Sequence, residues 1–236
     1  MGEKYNRRTA MKYIRINVTA EGQTEEQFAK NILSNFLVHA NFTVDARRVR
    51  TSRDKKKTYR GGLLDYQKAK KDIIEWMKED SKHDVYFTTM FDLYALPSDF
   101  PKFAEGQKII DPYQKVEFLE KAMSEDINDI RFIPYIQLHE FEALVLSNPS
   151  NLKIEYFDKE KEIEKLNELL IKNDNNSELI NSGKETAPSK QILKLIPEYD
   201  KVTIGSILAG FDGIDTLRNK CGHFNDWLTK LENLSQ

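Results

Sequence analysis

The fold of this 236-residue chain is decided by the stretch "YIRINVTAEGQTEEQF", residues 13–28. Its first half, 13–20, alternates apolar and polar side chains and is rich in β-branched types, which predicts a β-strand. A helix is expected to follow at once, because Glu25 and Glu26 suit the positive end of a helix dipole and Thr24 can cap it. A strand that turns straight into a helix indicates an α/β protein.

The same alternation of strand and helix continues down the chain. Further strands are predicted over 42–49, 84–91 and 131–138, with helices over 61–80 and 112–123. The run 84–91 is apolar almost throughout, as expected for a strand buried on both faces. We therefore predict an α/β fold with a sheet of about four mostly parallel strands and flanking helices.

The remainder of the sequence has a different pattern. Beyond residue 150 the chain carries charged and amphipathic helical patterns and no convincing strand. We predict two parts, an α/β core over 12–150 and a helical C-terminal subdomain over 151–236.

Composition narrows the class of protein. A net charge of -2 argues against a protein that coats nucleic acid non-specifically. The single cysteine, Cys221, excludes an internal disulfide and a zinc site of several thiolates, which fits a reducing cytoplasm. No window approaches the roughly 18 apolar residues of a membrane span, and the N-terminus lacks the pattern of a signal peptide. We expect a cytoplasmic protein with no membrane association.

Acidic side chains follow three of the predicted strands. Glu21 ends the first, Asp92 ends the run 84–91, and Glu140 and Glu142 follow the last. Ligands of open α/β sheets bind beyond the carboxyl ends of the strands. Clustered carboxylates repel one another unless a cation neutralises them, and hard oxygen ligands favour Mg²⁺ or Mn²⁺ over zinc. The sequence predicts a divalent metal site at this edge.

Each acid also has a structural alternative. Glu21 and Glu25 could serve only the helix N-terminus, and Asp92 could open a turn. Their occurrence together at three strand ends favours a site.

The segment "HEFE", residues 139–142, leaves two arrangements open. If it is extended, Glu140 and Glu142 share a face; if it is helical, His139 and Glu142 do. It lacks the second histidine of a zinc protease motif.

A basic segment, "RRVRTSRDKKKTYR" at 47–60, holds eight Lys or Arg residues against one acid. Such runs often form only a solvated face. Beside a metal site, this one with its Tyr59 is a candidate phosphate clamp for single-stranded or looped RNA. The residues expected to bind nucleic acid are Arg53, Lys55, Lys56, Lys57 and Arg60.

Lys190, in "TAPSK", would stabilise a pentavalent phosphate if the C-terminal part folds back over the site. Alternatively, Thr186 and Ser189 cap a helix over 189–196 and Lys190 is solvated.

Two short motifs resemble the Toprim domain, the α/β fold of primases, topoisomerases and OLD nucleases. They are "EGQTEE" after the first strand and "FDLY" at the end of a later one. Longer stretches are similar to a bacterial domain-of-unknown-function family that includes AriB, the effector of the PARIS anti-phage system. The similarity extends from about residue 12 to 231 and includes "TTMFDLYALPSDFP", "RFIPYIQLHEFEAL", "TAPSKQILKLIPEYDK" and "CGHFNDWL".

The resemblance implies roles for individual residues. In Toprim domains a glutamate after the first strand and a later Asp-x-Asp pair hold divalent metal for phosphoryl transfer. By that likeness Glu21 is the glutamate, Glu25 a supporting acid and Asp92 the first acid of the pair. The second position is Tyr94, so a ligand is expected from a glutamate of 139–142, or the site holds one strong metal instead of two.

The resemblance also implies a function. We expect a metal-dependent nuclease that cleaves host tRNA in the anticodon region as the toxic effector of anti-phage defence by abortive infection. It would be held inactive by an ABC-type ATPase sensor, AriA in PARIS, and would form a homodimer when released. The alternatives are a DNA endonuclease of OLD type and a non-catalytic binding module that docks on an ATPase.

Overall fold

The structure, a computed structural model, describes residues 13–49, 63, 65–180 and 186–235. The strands are β1 Ile14–Ala20, β2 Phe42–Arg48, β3 Val85–Asp92, β4 Phe132–Ile133 and β5 Ile136–Gln137. The α-helices in these ranges are α1 Gln23–Phe28, α2 Ser34–Leu37, α3 Tyr66–Glu79, α4 Phe103–Gly106, α5 Pro112–Ile127, α6 Glu142–Val145, α7 Glu160–Lys172, α8 Pro188–Leu195, α9 Ser206–Gly210, α10 Ile214–Lys220 and α11 Gly222–Glu232. Two π-helical turns also occur, at Ala29–Leu33 and Lys201–Gly205.

The sheet has the order β2-β1-β3-β4, and β5 also pairs with β3. Every one of these pairs is parallel. Parallel strands need crossover connections: the helical segment that begins with α1 joins the neighbours β1 and β2, and α3 lies in the connection from β2 past β1 to β3. The prediction of an α/β sheet of about four parallel strands with flanking helices and a helical C-terminal part is confirmed.

Apolar side chains cover both faces of this sheet. Phe87 and Phe91 of β3 belong to a cluster with α3 and α5, whereas Met90 belongs to another with α1 and the helices from α6 to α11. Because successive side chains of a strand point to opposite faces, the two clusters lie on opposite sides of the sheet.

The last predicted strand is interrupted. Instead of one run over 131–138, the structure has β4 and β5, separated by Pro134 and Tyr135. Proline has no N–H to donate to a strand neighbour. Tyr135 keeps this segment bonded to β3. Its N–H donates to Thr89 Oγ1 at 3.0 Å, and its carbonyl accepts from the same hydroxyl at 2.9 Å.

The helix after β1 also differs from the prediction. It runs through α1, the π turn Ala29–Leu33 and α2. The prediction that Thr24 caps it was wrong: Gly22 holds the capping position with no side-chain bond. The Thr24 hydroxyl donates instead to the carbonyl of Lys201 at 3.3 Å, which ties α1 to the second π turn.

The C-terminal helices share a core with the sheet. Trp227 of α11 stacks on Tyr135 with ring centroids 4.3 Å apart, and its Nε1 donates to Thr88 Oγ1 at 2.9 Å. The boundary between 12–150 and 151–236 stays a prediction. In the ranges described, no helix has the length and apolar character needed to cross a bilayer.

Candidate functional site

Four acidic side chains meet in a cavity at the carboxyl ends of β1 and β3. Glu21 follows β1, Glu25 lies in the first turn of α1, Asp92 ends β3, and Glu142 begins α6. All four line one cavity of about 390 Å³. The parallel sheet brings the first three together, because adjacent strands end at the same edge.

Lys201 stands among these acids. Its Nζ lies 3.1 Å from Glu25 Oε1, and 3.3 Å from both Asp92 Oδ2 and Glu142 Oε2. Among the described residues that line the cavity, it is the only basic one. A single ammonium group therefore shares the cavity with five carboxyl groups, because Glu140 also lines it, and it contacts three of them.

The backbone fixes Glu21 beside Asp92. The N–H of Glu21 donates to the carbonyl of Met90 at 3.0 Å, which extends the pairing of β1 with β3. In return, the N–H of Asp92 donates to Glu21 Oε2 at 2.9 Å. The two acids are thus held on rigid strand ends.

Gly22 has a steric role at this turn. A Cβ atom at position 22 would lie 2.8 Å from Glu25 Oε2. A side chain there would push the Glu25 carboxylate out of its present place. Glycine after Glu21 therefore lets the strand end and the first turn of α1 approach closely.

Burial makes the negative charges of the cavity unfavourable. It raises the pKa of Glu21 to about 7, although the hydrogen bond from the Asp92 N–H lowers it. Burial also raises the pKa of Asp92 well above its usual range, and that of Glu142, against the positive charge of Lys201. Burial alone would lower the pKa of Lys201, but its acidic neighbours outweigh it and raise that pKa. More positive charge in the cavity would relieve this repulsion.

The oxygen atoms of the cavity suit a hard divalent cation. Asp92 Oδ1 is buried and accepts no hydrogen bond, so it has lone pairs to offer, and Glu25 Oε1 has Lys201 as its one ion-pair partner among the described residues. Carboxylate oxygens are the ligands that Mg²⁺ and Mn²⁺ prefer. As the side chains stand, no three His, Cys, Asp or Glu residues in the described ranges are arranged to hold a metal ion. Glu25, Asp92 and Glu142 are drawn instead to Lys201.

The segment 139–142 is neither extended nor helical throughout, so neither predicted conformation is found, although Glu140 and Glu142 both line the cavity. Glu142 begins a helix and reaches Lys201. Glu140 lies in the turn before it, lines the cavity, and accepts a hydrogen bond from the N–H of Ser189 at 3.0 Å. Glu140 therefore caps α8, a role the sequence analysis gave to Thr186 and Ser189.

Tyr94 and His139 pair beside the cavity. Their rings lie 5.3 Å apart, and the Tyr94 N–H donates to the carbonyl of His139 at 3.1 Å. His139 has a positive φ of 62°. Burial lowers its pKa to about 4, so it is neutral near pH 7. Tyr94 lines the cavity and His139 does not.

Lys190 is exposed on α8 and lies outside the cavity lining. The lysine of the cavity is Lys201, which the sequence analysis missed. The one signal for it was its position at the end of the motif "TAPSKQILKLIPEYDK".

The predicted nucleic-acid-binding residues Arg53, Lys55, Lys56, Lys57 and Arg60 lie outside the described residues. The first two arginines of the basic segment have structural partners. Arg47 Nη2 lies 2.9 Å from Asp72 Oδ1, and its guanidinium stacks over Trp76. Arg48 Nε lies 2.8 Å from Glu26 Oε2.

A second group of buried acids, Glu120 and Glu178, lies between α5 and α11. Glu120 Oε1 accepts from the N–H of Ile136 at 2.8 Å and pairs with His223 Nε2 at 2.8 Å. Glu178 accepts from the N–H groups of His223 and Phe224, at 2.9 and 3.1 Å, and thereby caps α11. Its Oε2 also accepts from the Tyr113 hydroxyl at 3.1 Å.

Comparison with known proteins gives one match. The model of a family described as "Domain of unknown function (DUF4276)" matches residues 20–232. No curated protein matches, and neither does any solved structure. The matched range contains every residue of the cavity.

Proposed function

We propose that this chain, which belongs to the DUF4276 family, is a metal-dependent nuclease of the Toprim type. The observation that carries the proposal is the convergence of Glu21, Glu25, Asp92 and Glu142 in one open cavity at the carboxyl ends of parallel strands. These residues would hold Mg²⁺ or Mn²⁺. When bound, such an ion polarises a phosphate oxygen and stabilises the charge that develops as a phosphodiester is cleaved.

The side chains of the cavity would have separate roles in the proposed reaction. Glu21, held at the strand end by the Asp92 N–H, would accept a proton from an attacking water. Asp92 and Glu142 would hold the divalent ion, whose charge would attract the phosphate. Tyr94 and Ser189 line the cavity, and their hydroxyl groups can donate hydrogen bonds to phosphate oxygens.

The finer identity of the substrate and partners rests on sequence resemblance. Similarity to the family of the PARIS effector AriB supports a toxic ribonuclease of anti-phage defence that cleaves host tRNA. The same resemblance supports an ABC-type ATPase partner that keeps the nuclease inactive, and a homodimer after release. The basic segment 47–60 would supply the contacts to RNA phosphates.

A second candidate function is a non-catalytic module that docks on an ATPase. It is favoured by the contacts of Lys201, which already pairs with three of the acids. On this reading the cluster stabilises the fold and the cavity binds no substrate.

The test compares the wild type with Glu21→Gln. Each protein is incubated with total tRNA and, separately, with supercoiled plasmid, in Mg²⁺ or in EDTA. We expect the wild type to cleave tRNA in Mg²⁺ only, and Glu21→Gln to lose at least roughly a thousandfold of that activity, because both the proton acceptor and a metal ligand are gone.

Glu168→Gln is the matched control. Glu168 is an exposed acid of α7 and lies outside the cavity lining. It should retain the activity of the wild type. Cleavage of plasmid alone would point to a DNA endonuclease of OLD type. Cleavage of neither substrate by a dimeric preparation would favour the docking module.

A further inference from the structure

We propose that Lys201 is a built-in competitor of the metal ion: its ammonium group holds the carboxylates in the metal-free protein and must leave before a divalent ion binds. The inference rests on the metal site of the proposed function, but not on nuclease activity. It concerns which cation occupies the cavity.

The contacts of Lys201 place it where a metal would be coordinated. Its Nζ is within 3.3 Å of oxygens from Glu25, Asp92 and Glu142, which lie on three separate elements. A divalent ion bound by the same three oxygens would occupy nearly the same point. Two cations this close would repel strongly in a cavity of low dielectric.

The ammonium group is an incomplete substitute for a metal ion. It carries one positive charge and three donors, whereas Mg²⁺ carries two charges and takes six oxygen ligands. Asp92 Oδ1 remains buried without a hydrogen bond beside Lys201. The cavity therefore retains a binding capacity that Lys201 does not satisfy.

The lysine can move more easily than the acids. Asp92 ends a strand and Glu25 lies in a helix packed on the sheet, while the Lys201 side chain is flexible and 31% exposed. Lys201 also begins a π-helical turn, a geometry often found at functional sites. We infer that the lysine withdraws through the cavity mouth and that the three carboxylates then move inward to ligand distance from the divalent ion.

One test measures Mn²⁺ affinity of the full chain by the EPR signal of free Mn²⁺. Lys201→Met, which keeps an unbranched side chain one atom shorter and removes its charge, should bind Mn²⁺ at least about tenfold more tightly than the wild type. The matched control Lys194→Met changes an exposed lysine of α8 and should bind as the wild type does. Equal or weaker binding by folded Lys201→Met would overturn the inference.

A second test uses the wild type alone. It tests the exchange of Lys201 and the metal ion even if Lys201→Met fails to fold. Lysines are acetylated briefly with acetic anhydride, with and without Mn²⁺, and each site is quantified by peptide mass spectrometry. Only a neutral amine reacts, so release from the acids should raise the labelling of Lys201 several-fold relative to Lys194. Labelling that stays constant or falls would show that metal and lysine do not exchange.

The two proposals fail in different ways. A chain that binds Mn²⁺ with release of Lys201 but cuts no nucleic acid would refute the nuclease and keep the exchange. Metal-dependent cleavage of tRNA with no change in the labelling of Lys201 would support the nuclease and refute the exchange.

Discussion

Among the described residues, three acids of the cavity and the pair Glu120 and Glu178 are buried, and the surroundings of the two groups are opposite. Glu178 accepts three hydrogen bonds from protein donors, and Glu120 accepts a backbone N–H and pairs with His223. In the cavity, Glu25, Asp92 and Glu142 share one lysine, and Asp92 Oδ1 accepts no hydrogen bond.

The difference shows that burial of an acid does not by itself mark a site. A carboxylate whose lone pairs are used by nearby N–H and O–H groups stabilises the fold. A carboxylate with unused lone pairs in an open cavity costs stability and keeps the capacity to bind. In EDTA, substitutions of the two kinds of acid should therefore change the free energy of unfolding in opposite directions.

The largest effect is expected at Glu178. Glu178→Ala removes the acceptor of two buried N–H groups and of the Tyr113 hydroxyl, and should lower the free energy of unfolding by about 3 kcal/mol. Urea denaturation measures it. Glu168→Ala, at an exposed position of α7, is the control and should stay within about 0.5 kcal/mol of the wild type. If Glu178→Ala lowers the free energy of unfolding by less than about 1 kcal/mol, the hydrogen bonds of Glu178 contribute little to stability.

A smaller effect of opposite sign is expected at Asp92. Burial raises the pKa of Asp92, so its charge is unfavourable in the folded state. Asp92→Asn should raise the free energy of unfolding at pH 7 by about 1 kcal/mol while it removes a metal ligand. The same denaturation experiment measures it.

Asp126→Asn serves as the contrasting variant. Asp126 accepts from Tyr66 and Lys70, and its pKa is lowered, although burial opposes this. Its substitution should lower stability. If both variants shift stability in the same direction, the contrast between satisfied and unsatisfied acids fails.

The smallest effect concerns the pH dependence of the His223–Glu120 pair. Burial lowers the pKa of His223, but the hydrogen bond and charge of Glu120 outweigh it and raise the pKa above 6.5. The protonated pair therefore stabilises the fold below pH 6.5, and this contribution is lost as pH rises through the folded pKa. We expect a decline of less than about 1 kcal/mol between pH 6.5 and 8.5.

His223→Gln is the control for this pH effect. Its unfolding free energy should lack the decline over the same interval. A wild-type curve that rises with pH there would mean that His223 is neutral in the fold at all these pH values.

The sequence predicted those parts of the molecule that depend on local pattern. The alternation at 13–20 and the apolar run at 84–91 correspond to β1 and β3. Glu21 and Asp92 could be placed at one edge because parallel strands share a direction. The break in the predicted run 131–138 also has a local cause, because Pro134 has no N–H to donate to a neighbouring strand.

The rest depends on distant residues that no local pattern connects. Lys201 is 109 residues from Asp92, and it is one of 36 Lys and Arg residues. Thr24 was expected to cap its own helix, but its hydroxyl is drawn to the carbonyl of Lys201 by the packing of α1 on the second π turn. Glu140 caps a helix 49 residues away. Tertiary contacts of this kind override local preferences.

The position of Lys201 late in the chain has a consequence during synthesis. The ribosome makes Glu21, Glu25, Asp92 and Glu142 first, and Lys201 follows 59 residues after Glu142. At translation rates of 5–20 residues per second, the acids exist for about 3–12 seconds before their lysine is made. During that interval the chain lacks the one basic side chain that, among the described residues, lines the cavity with these acids.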